Sequence, residues 1–429
     1  MICRRALCWL IVVLAFAAPS VAEAQPRTAI GFEVVATHDL GARGMNAGLA
    51  IADACGYVGS RSGTQDVLIL DLSDPRRPRT IGSLPHAPGS TPREVRAAAE
   101  LNLLIVMHYR LDPFSGAPNR LDLYDISDCR RPELRGRFDF GNAQPHEFFL
   151  WRDPSSRRQG RALAYVAMWG HTPNLRVIDV SDPTAPVEVA SWDAGAIVGW
   201  PSRLHSLTVS RNGRRAYLAD WDLGLMVLDT SGLARGRGDL TPQLLTPPEA
   251  WVQLPGGRLH SAVIAPGDEF VVTTQEIYGP GACPYGGVHI VSVEDPASPR
   301  VLSRFGIPEN DPAACGTTAT LDGAFTAHNP LVIGDLAFVS WYAGGLRAID
   351  LRDPENPVAA GAFQPTPLAS VAADDFTLGS YPVRMWSSPI IRDGLIYVVD
   401  IRNGLAILRY TGPRASRVAD IEWAEGNAT

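Results

Sequence analysis

Apolar and polar residues alternate in short runs along this chain, and seven of the runs share an ending. In Leu175-Arg-Val-Ile-Asp179 the alternation stops at an aspartate, a Ser-Asp-Pro turn follows to Pro183, and a second proline stands at Pro186. The same phrase starts at Val67, Leu121, Leu225, Val288 and Leu346, and a worn copy starts at Leu405. Its closing position falls at Asp71, Asp125, Asp179, Asp229, Ser292, Asp350 and Arg409, with spacings of 50 to 63 residues. Period-2 runs repeated at this distance point to an array of small β-sheets of the propeller type.

Each unit resolves into four short strands, a to d from the hub outward. In the fourth unit, residues 205–210 and 215–220 are joined at Arg211-Asn-Gly213, and Asp222-Leu-Gly224 leads into the signature strand. A strand near residues 250–254 is expected to end the unit. Gly, Asn, Asp and Pro between alternating runs are hairpin signals. The second prolines, Pro78, Pro132, Pro186, Pro299 and Pro357, fit the start of an outer edge strand, where no ladder donor is needed. The seventh unit has strands at 386–391, 395–400 and 405–410 but no fourth, while residues 32–37 form a strand without a unit. Joining the two removes the open edges, which predicts an all-β fold of seven four-stranded antiparallel blades closed by the N-terminal strand. The propeller then spans residues 25–412, and residues 413–429 are expected to be a C-terminal tail outside the blades.

The seven copies resemble the LVIVD-repeat family, named for this strand-c phrase; Leu-Arg-Val-Ile-Asp179 and Leu-Arg-Ala-Ile-Asp350 are the best matches. The resemblance covers nearly the whole chain after the leader and implies a propeller. A more distant similarity is to the selenium-binding proteins, which include copper-dependent methanethiol oxidases; no site residue is carried over from them.

Composition then narrows the setting. Of 429 residues, 46% are hydrophobic and 19% charged, which is globular, and the formal charge of −7 with no lysine gives no footprint for nucleic acid. Residues 1–24 have Arg4 and Arg5, an apolar stretch from Trp9 to Ala18 and Ala22-Glu23-Ala24, the pattern of a secretory signal peptide cleaved after Ala24. A secreted or periplasmic protein without a membrane span is expected. The remaining cysteines are Cys55, Cys129, Cys283 and Cys315, and an even number in an exported chain favours disulfides over a metal cluster, with free buried thiols as the plainer alternative. Of three connectivities, Cys55–Cys129 and Cys283–Cys315 keep both partners on one face of a propeller.

Candidate chemistry collects at one register. His146, His205, His260 and His328 each begin a strand a, so four imidazoles can converge at the mouth of the central channel. Imidazole is a common ligand for copper, zinc and iron, so this cluster is a candidate transition-metal site; inherited repeat residues are the plainer alternative. Glu94 and Glu147 are candidates for supporting carboxylates. The equivalent places in the other blades are read as Met45 or Asn46, Glu94 and Trp386. Arg203, Arg258 and Arg384 lie two residues ahead of this register and, with Trp386, are candidates to hold an anionic ligand, or else to brace loop carbonyls. Trp169, Trp221, Trp341 and Tyr342 end b strands near the same face and are expected to pack between blades, with a ligand platform as the alternative. Hydrolase, zinc-protease and phosphate-loop signatures are absent from the sequence. Two functions follow: an exported scaffold binding a protein or small ligand at its loop-rich face, or a metal-dependent enzyme, an oxidoreductase among the options.

Overall fold

A computed structural model describes residues 26–154, 161–279, 282–317 and 322–425. The expected signal peptide lies outside the described residues. Seven antiparallel sheets follow one another along the chain, each ordered from an inner strand a to an outer strand d. The third blade, for example, is Pro145–Arg152, Ala162–Met168, Leu175–Asp179 and Val187–Trp192. Inner and middle strands are almost wholly buried, whereas outer strands such as Arg79–Leu84 are largely exposed, so the core lies between blades around the hub.

The signature turn works as its composition requires. Asp71 Oδ1 accepts from the backbone amide and hydroxyl of Ser73, and Asp125 and Asp179 do the same with Ser127 and Ser181. The second aspartate of the phrase, as in Asp74, Asp182 and Asp353, accepts from the amide two residues on. These are Asx turns, and they give the repeated aspartates a structural role.

Closure occurs as expected, with additions. Phe32–His38 pairs with Gly404–Tyr410 as the outer strand of the seventh blade, and Thr28–Ile30 adds a fifth strand outside the sixth. Three expectations are corrected. The fourth blade ends in Gln243–Leu244 rather than near 250–254, because Pro247 and Pro248 open a 3-10 turn that cannot donate to a ladder. Only Val252, opposite Leu225, keeps an isolated bridge there. The regular inner strand of the seventh blade is the short Ile390–Arg392. The chain after Thr411 does not stay outside the blades: Trp423–Glu425 pairs with Ile390–Arg392 on the axial side of the seventh blade. Ala424 is fully buried there, so the short inner strand gains the partner it would otherwise lack.

Both disulfides form as expected, Cys55–Cys129 between the first two blades and Cys283–Cys315 between loops of the fifth blade and the one after it. Among the described residues no helix is long and apolar enough to cross a membrane.

Candidate metal centre at the hub

One local distortion recurs in the inner strands and builds the site. In the third, fourth and fifth blades the register with strand b slips by one residue between Pro145 and Glu147, Leu204 and Ser206, and Leu259 and Ser261. The extra residue is His146, His205 or His260. In the sixth blade the slip lies between Ala327 and Pro330 and takes in His328. A β-bulge of this kind re-aims a side chain, and here it turns four imidazoles toward the axis. The same slip occurs at Ala47-Gly48 in the first blade and at Arg93 in the second. In the seventh, Trp386 and Ser387 both donate to the Val399 carbonyl. The hub ring is therefore Ala47, Arg93, four histidines and Trp386. Met45 or Asn46 and Glu94 are not the equivalents of the histidines, because the bulge shifts the register by a residue.

The four rings are in contact. His146 Nε2 and His205 Nε2 lie 2.9 Å apart, and ring centroids are separated by 4.0 Å for His205–His260 and 3.9 Å for His260–His328. Two carboxylates reach the cluster. Glu147 Oε1 is 3.7 Å from His205 Nδ1 and 3.6 Å from His260 Nε2. Glu276 is 3.7 Å from His205 Nε2 and 3.6 Å from His328 Nε2. Two three-residue sets, Glu147–His205–His260 and His260–Glu276–His328, each hold their ligand atoms within 4.8 Å of one another, and they share His260.

Burial and hydrogen bonding prepare these groups. All four histidines are held well below the ordinary imidazole pKa, chiefly by burial and then by neighbouring positive charge, including Arg93 for each of them. They are neutral at pH 7 and keep a lone pair each. The His328 Nδ1 faces the Trp386 carbonyl at 2.9 Å; a carbonyl only accepts, so Nδ1 carries the proton and Nε2 is left free. His260 Nδ1 lies 2.6 Å from Ser261 Oγ, which in turn faces the His328 carbonyl and Asn329 Oδ1, the same polarity. His260 Nε2, His205 Nδ1, His146 Nδ1 and Glu147 Oε1 are buried without a hydrogen-bond partner. Burial pushes Glu147 far up, with Glu94 adding to it, and pushes Glu276 up to about 7 despite a 2.5 Å hydrogen bond donated by Tyr342. Buried polar atoms without a partner are costly, and a neutral imidazole set with nearby carboxylates suits a transition-metal ion.

The sequence pattern singled out His146, His205, His260, His328 and Glu147, and placed Tyr342 near the same face as a packing residue, but it did not single out Glu276, Arg61 or Arg93. Glu94 lies one step from the cluster, 3.2 Å from Arg96, with burial raising its pKa. Arg203 is ion-paired with Asp222, Arg384 with Asp374, and Arg258 donates to the Tyr278 carbonyl at 3.0 Å, so these three brace the loop face. Trp169 and Trp221 do not simply fill gaps between blades: they stack on His146 and His205 at 4.5 and 5.3 Å. Trp341 does pack in the core, donating to the Phe325 carbonyl. A signal for the missed residues exists at the residue of strand b that follows the pair preceding each bulge. That register runs Arg61, Tyr109, Trp169, Trp221, Glu276, Tyr342 and Ile401.

The LVIVD repeat family model matches residues 163–194 and 206–235, in the third and fourth blades. No curated protein matches the chain. Among solved structures it is similar to the β-propeller domain of Myceliophteria thermophila Cps50 (Swd1), at 11% identity and a TM-score of 0.55, covering 88% of this chain and 99% of that one. It is also similar to Chaetomium thermophilum Raptor, at 13% identity and a TM-score of 0.50, covering 89% of this chain and 29% of that one. The likeness is one of fold. The chain is a seven-bladed β-propeller carrying LVIVD repeats.

Proposed function

We propose that this propeller is an exported, metal-dependent enzyme whose centre lies at the hub, with His146, His205, His260 and His328 as ligands. The observation that carries this reading is the convergence of four buried imidazoles, three of them with an unpartnered nitrogen, beside two carboxylates. Copper, iron or zinc fits such a nitrogen-rich set. When bound, the ion would supply Lewis acidity, and with copper or iron also electron transfer, which places an oxidoreductase among the reactions supported. The chain's own residues hold and tune the ligands. The Trp386 carbonyl and Ser261 fix the protonation of His328 and His260, and Tyr342 orients Glu276. Trp169, Trp221 and Tyr342 pack against the imidazoles and restrict water. Export rests on the leader sequence and agrees with two disulfides.

Elemental analysis of the mature protein, purified after growth with copper, iron and zinc supplied, tests the proposal. Near-stoichiometric metal is expected, lost in His205→Ala and His260→Ala variants that remain folded. Less than about a tenth of an equivalent of every transition metal would overturn it, since multi-histidine sites bind tightly.

A second reading, a scaffold that binds a partner at the loop-rich face, is favoured by one observation. Phe114, Trp200 and Phe376 stand 95%, 45% and 74% exposed on b–c and d–a loops of that face. Exposed aromatics are characteristic of contact surfaces. A metal-free, folded protein would leave this as the better reading.

A further inference from the structure

The mouth above the histidines contains a cation, Arg93, that no group among the described residues meets in an ion pair. Arg93 occupies the bulge of the second blade, the position held by histidine in the next four, so the same distortion points it into the hub. Its guanidinium lies over the rings of Tyr109 and Trp386, at 5.4 and 5.5 Å from their centroids. The first blade, which separates Arg93 from Trp386 around the ring, has only Ala47-Gly48 at this register, and that is why the two can meet. Arg93 Nε is buried with no acceptor, and no carboxylate lies within ion-pair distance of it among the described residues. Arg61 lies over the same Trp386 ring at 5.5 Å. Two of its nitrogens bond Asp375, but Nη1 is buried without an acceptor. The contrast with the surrounding arginines is informative: Arg203 and Arg384 each have an aspartate.

We propose that this mouth binds a small monocarboxylate, held by Arg93 and by Arg61 Nη1 against the Trp386 ring, as the substrate class admitted to the hub. A guanidinium presents planar N–H groups that match a carboxylate, and stacking on an aromatic face leaves its edge free to bond. Charge sets the limit on the ligand. The groups facing the arginines are neutral histidines and the buried carboxylates Glu94, Glu147 and Glu276, all within electrostatic reach of Arg93. Arg61 already has Asp375, so Arg93 is the uncompensated cation here, and it offsets a single negative charge but not the two of a dianion such as phosphate. The tyrosine and tryptophans around the mouth, Tyr109, Trp169 and Trp386, favour a carboxylate with an apolar body. This inference rests on the metal-centre reading for what the ligand does once bound, but not for its binding.

Calorimetric titration of the full mature protein with acetate, benzoate and inorganic phosphate, in a zinc-loaded and a chelator-treated preparation, tests it. Saturable benzoate binding is expected in both preparations, with phosphate weaker. Binding should weaken about tenfold or more in Arg93→Gln, the loss of a charge-assisted bidentate contact. Arg93→Lys keeps the charge without the fork and should fall between, which preserves the test if the glutamine variant folds poorly. Arg131→Gln, on an exposed outer turn, should bind as the parent does. The proposal is overturned if benzoate does not saturate in either preparation, if Arg93→Gln binds as tightly as the parent, or if phosphate binds more tightly than either carboxylate. Benzoate binding in a protein that takes up no metal would sink the metal-centre reading and leave this one standing. Metal uptake without carboxylate binding would do the reverse.

Discussion

At the scale of single residues, this fold uses arginine and aspartate where many proteins use lysine and glutamate, and the result is acid sensitivity at identifiable points. Asp122 is buried on strand c of the second blade (Arg120–Asp125), 3.2 Å from His108 Nε2 and bonded by Arg120 at 2.6 Å and Arg137 at 3.2 Å. Burial alone would push its carboxyl up, but the bonds from His108 and Arg120 outweigh it and hold the pKa down to about 2. A folded-state pKa below the unfolded value contributes stability above the unfolded pKa, near 3.8, and that contribution disappears as pH falls toward 2. Asp122→Asn should therefore be less stable than the parent by about 2 kcal/mol near neutrality, with the gap closing between about pH 4 and pH 2. Denaturant midpoints of the two proteins across that range check this; a gap independent of pH would mean that packing, not charge, sets the difference. The site residues show how far single positions were readable. Four histidines stood out because a rare residue type recurred at one register. Arg93 did not, because a one-residue slip puts it beside Glu94, and reading the register without the bulge selects the wrong neighbour. Glu276 was hidden for a different reason: it shares a register with Trp169, Trp221 and Tyr342, so residue type gave no sign that a carboxylate belongs with those aromatics.

At the scale of elements, the β-bulge is the device that separates this hub from a plain stack of hairpins. Six inner strands carry it, each spending one residue of regular pairing to turn a side chain toward the axis, and Trp386-Ser387 repeats the pattern ahead of the seventh. The regular inner strand of the seventh blade is only Ile390–Arg392, and Trp423–Glu425 pairs with it. Nothing in the tail's composition announces this: Trp423-Ala-Glu425 is too short for a period-2 signal, and its partner strand is equally short. The strand also brings Glu425 to 3.8 Å from Arg96, which bonds Glu94 below the histidines. A chain ending at Ile421 should lose the pairing and the burial of Ala424. A thermal midpoint lowered by about 2 °C, equivalent to about 2 kcal/mol in a chain of this size, is expected. Glu425→Gln, which keeps the strand, should fall well short of that loss. An unchanged midpoint in the truncated protein would show that the seventh blade needs no inner partner.

At the scale of the whole molecule, ring closure depends on the two ends of the chain meeting in one blade. Repeat spacing was enough to count seven blades and to assign Phe32–His38 to the last of them, because a three-stranded blade and an orphan strand leave one economical solution. The strand is no loose latch. Phe32 is buried between Phe338, Phe363 and Tyr410, with ring centroids 5.4 to 6.4 Å apart, and so joins the sixth and seventh blades as well as pairing with Gly404–Tyr410. The disulfides act more locally, each tying neighbouring elements on one face. Removing residues 26–38 should therefore do more than breaking either bridge. It exposes the edge of Gly404–Tyr410 and uncovers the aromatic cluster, and an unprotected edge of this kind promotes association between chains. Cys283→Ser with Cys315→Ser should instead leave a single cooperative transition at a lower temperature, a loss of about 4 kcal/mol in the chain-entropy model for a loop of this length. Calorimetry of the two variants beside the parent separates these outcomes. The N-terminal deletion should lose its cooperative peak or aggregate, and the cysteine variant should keep its peak. A cooperative, monomeric deletion variant would show that six complete blades and a partial seventh hold the ring without the closing strand.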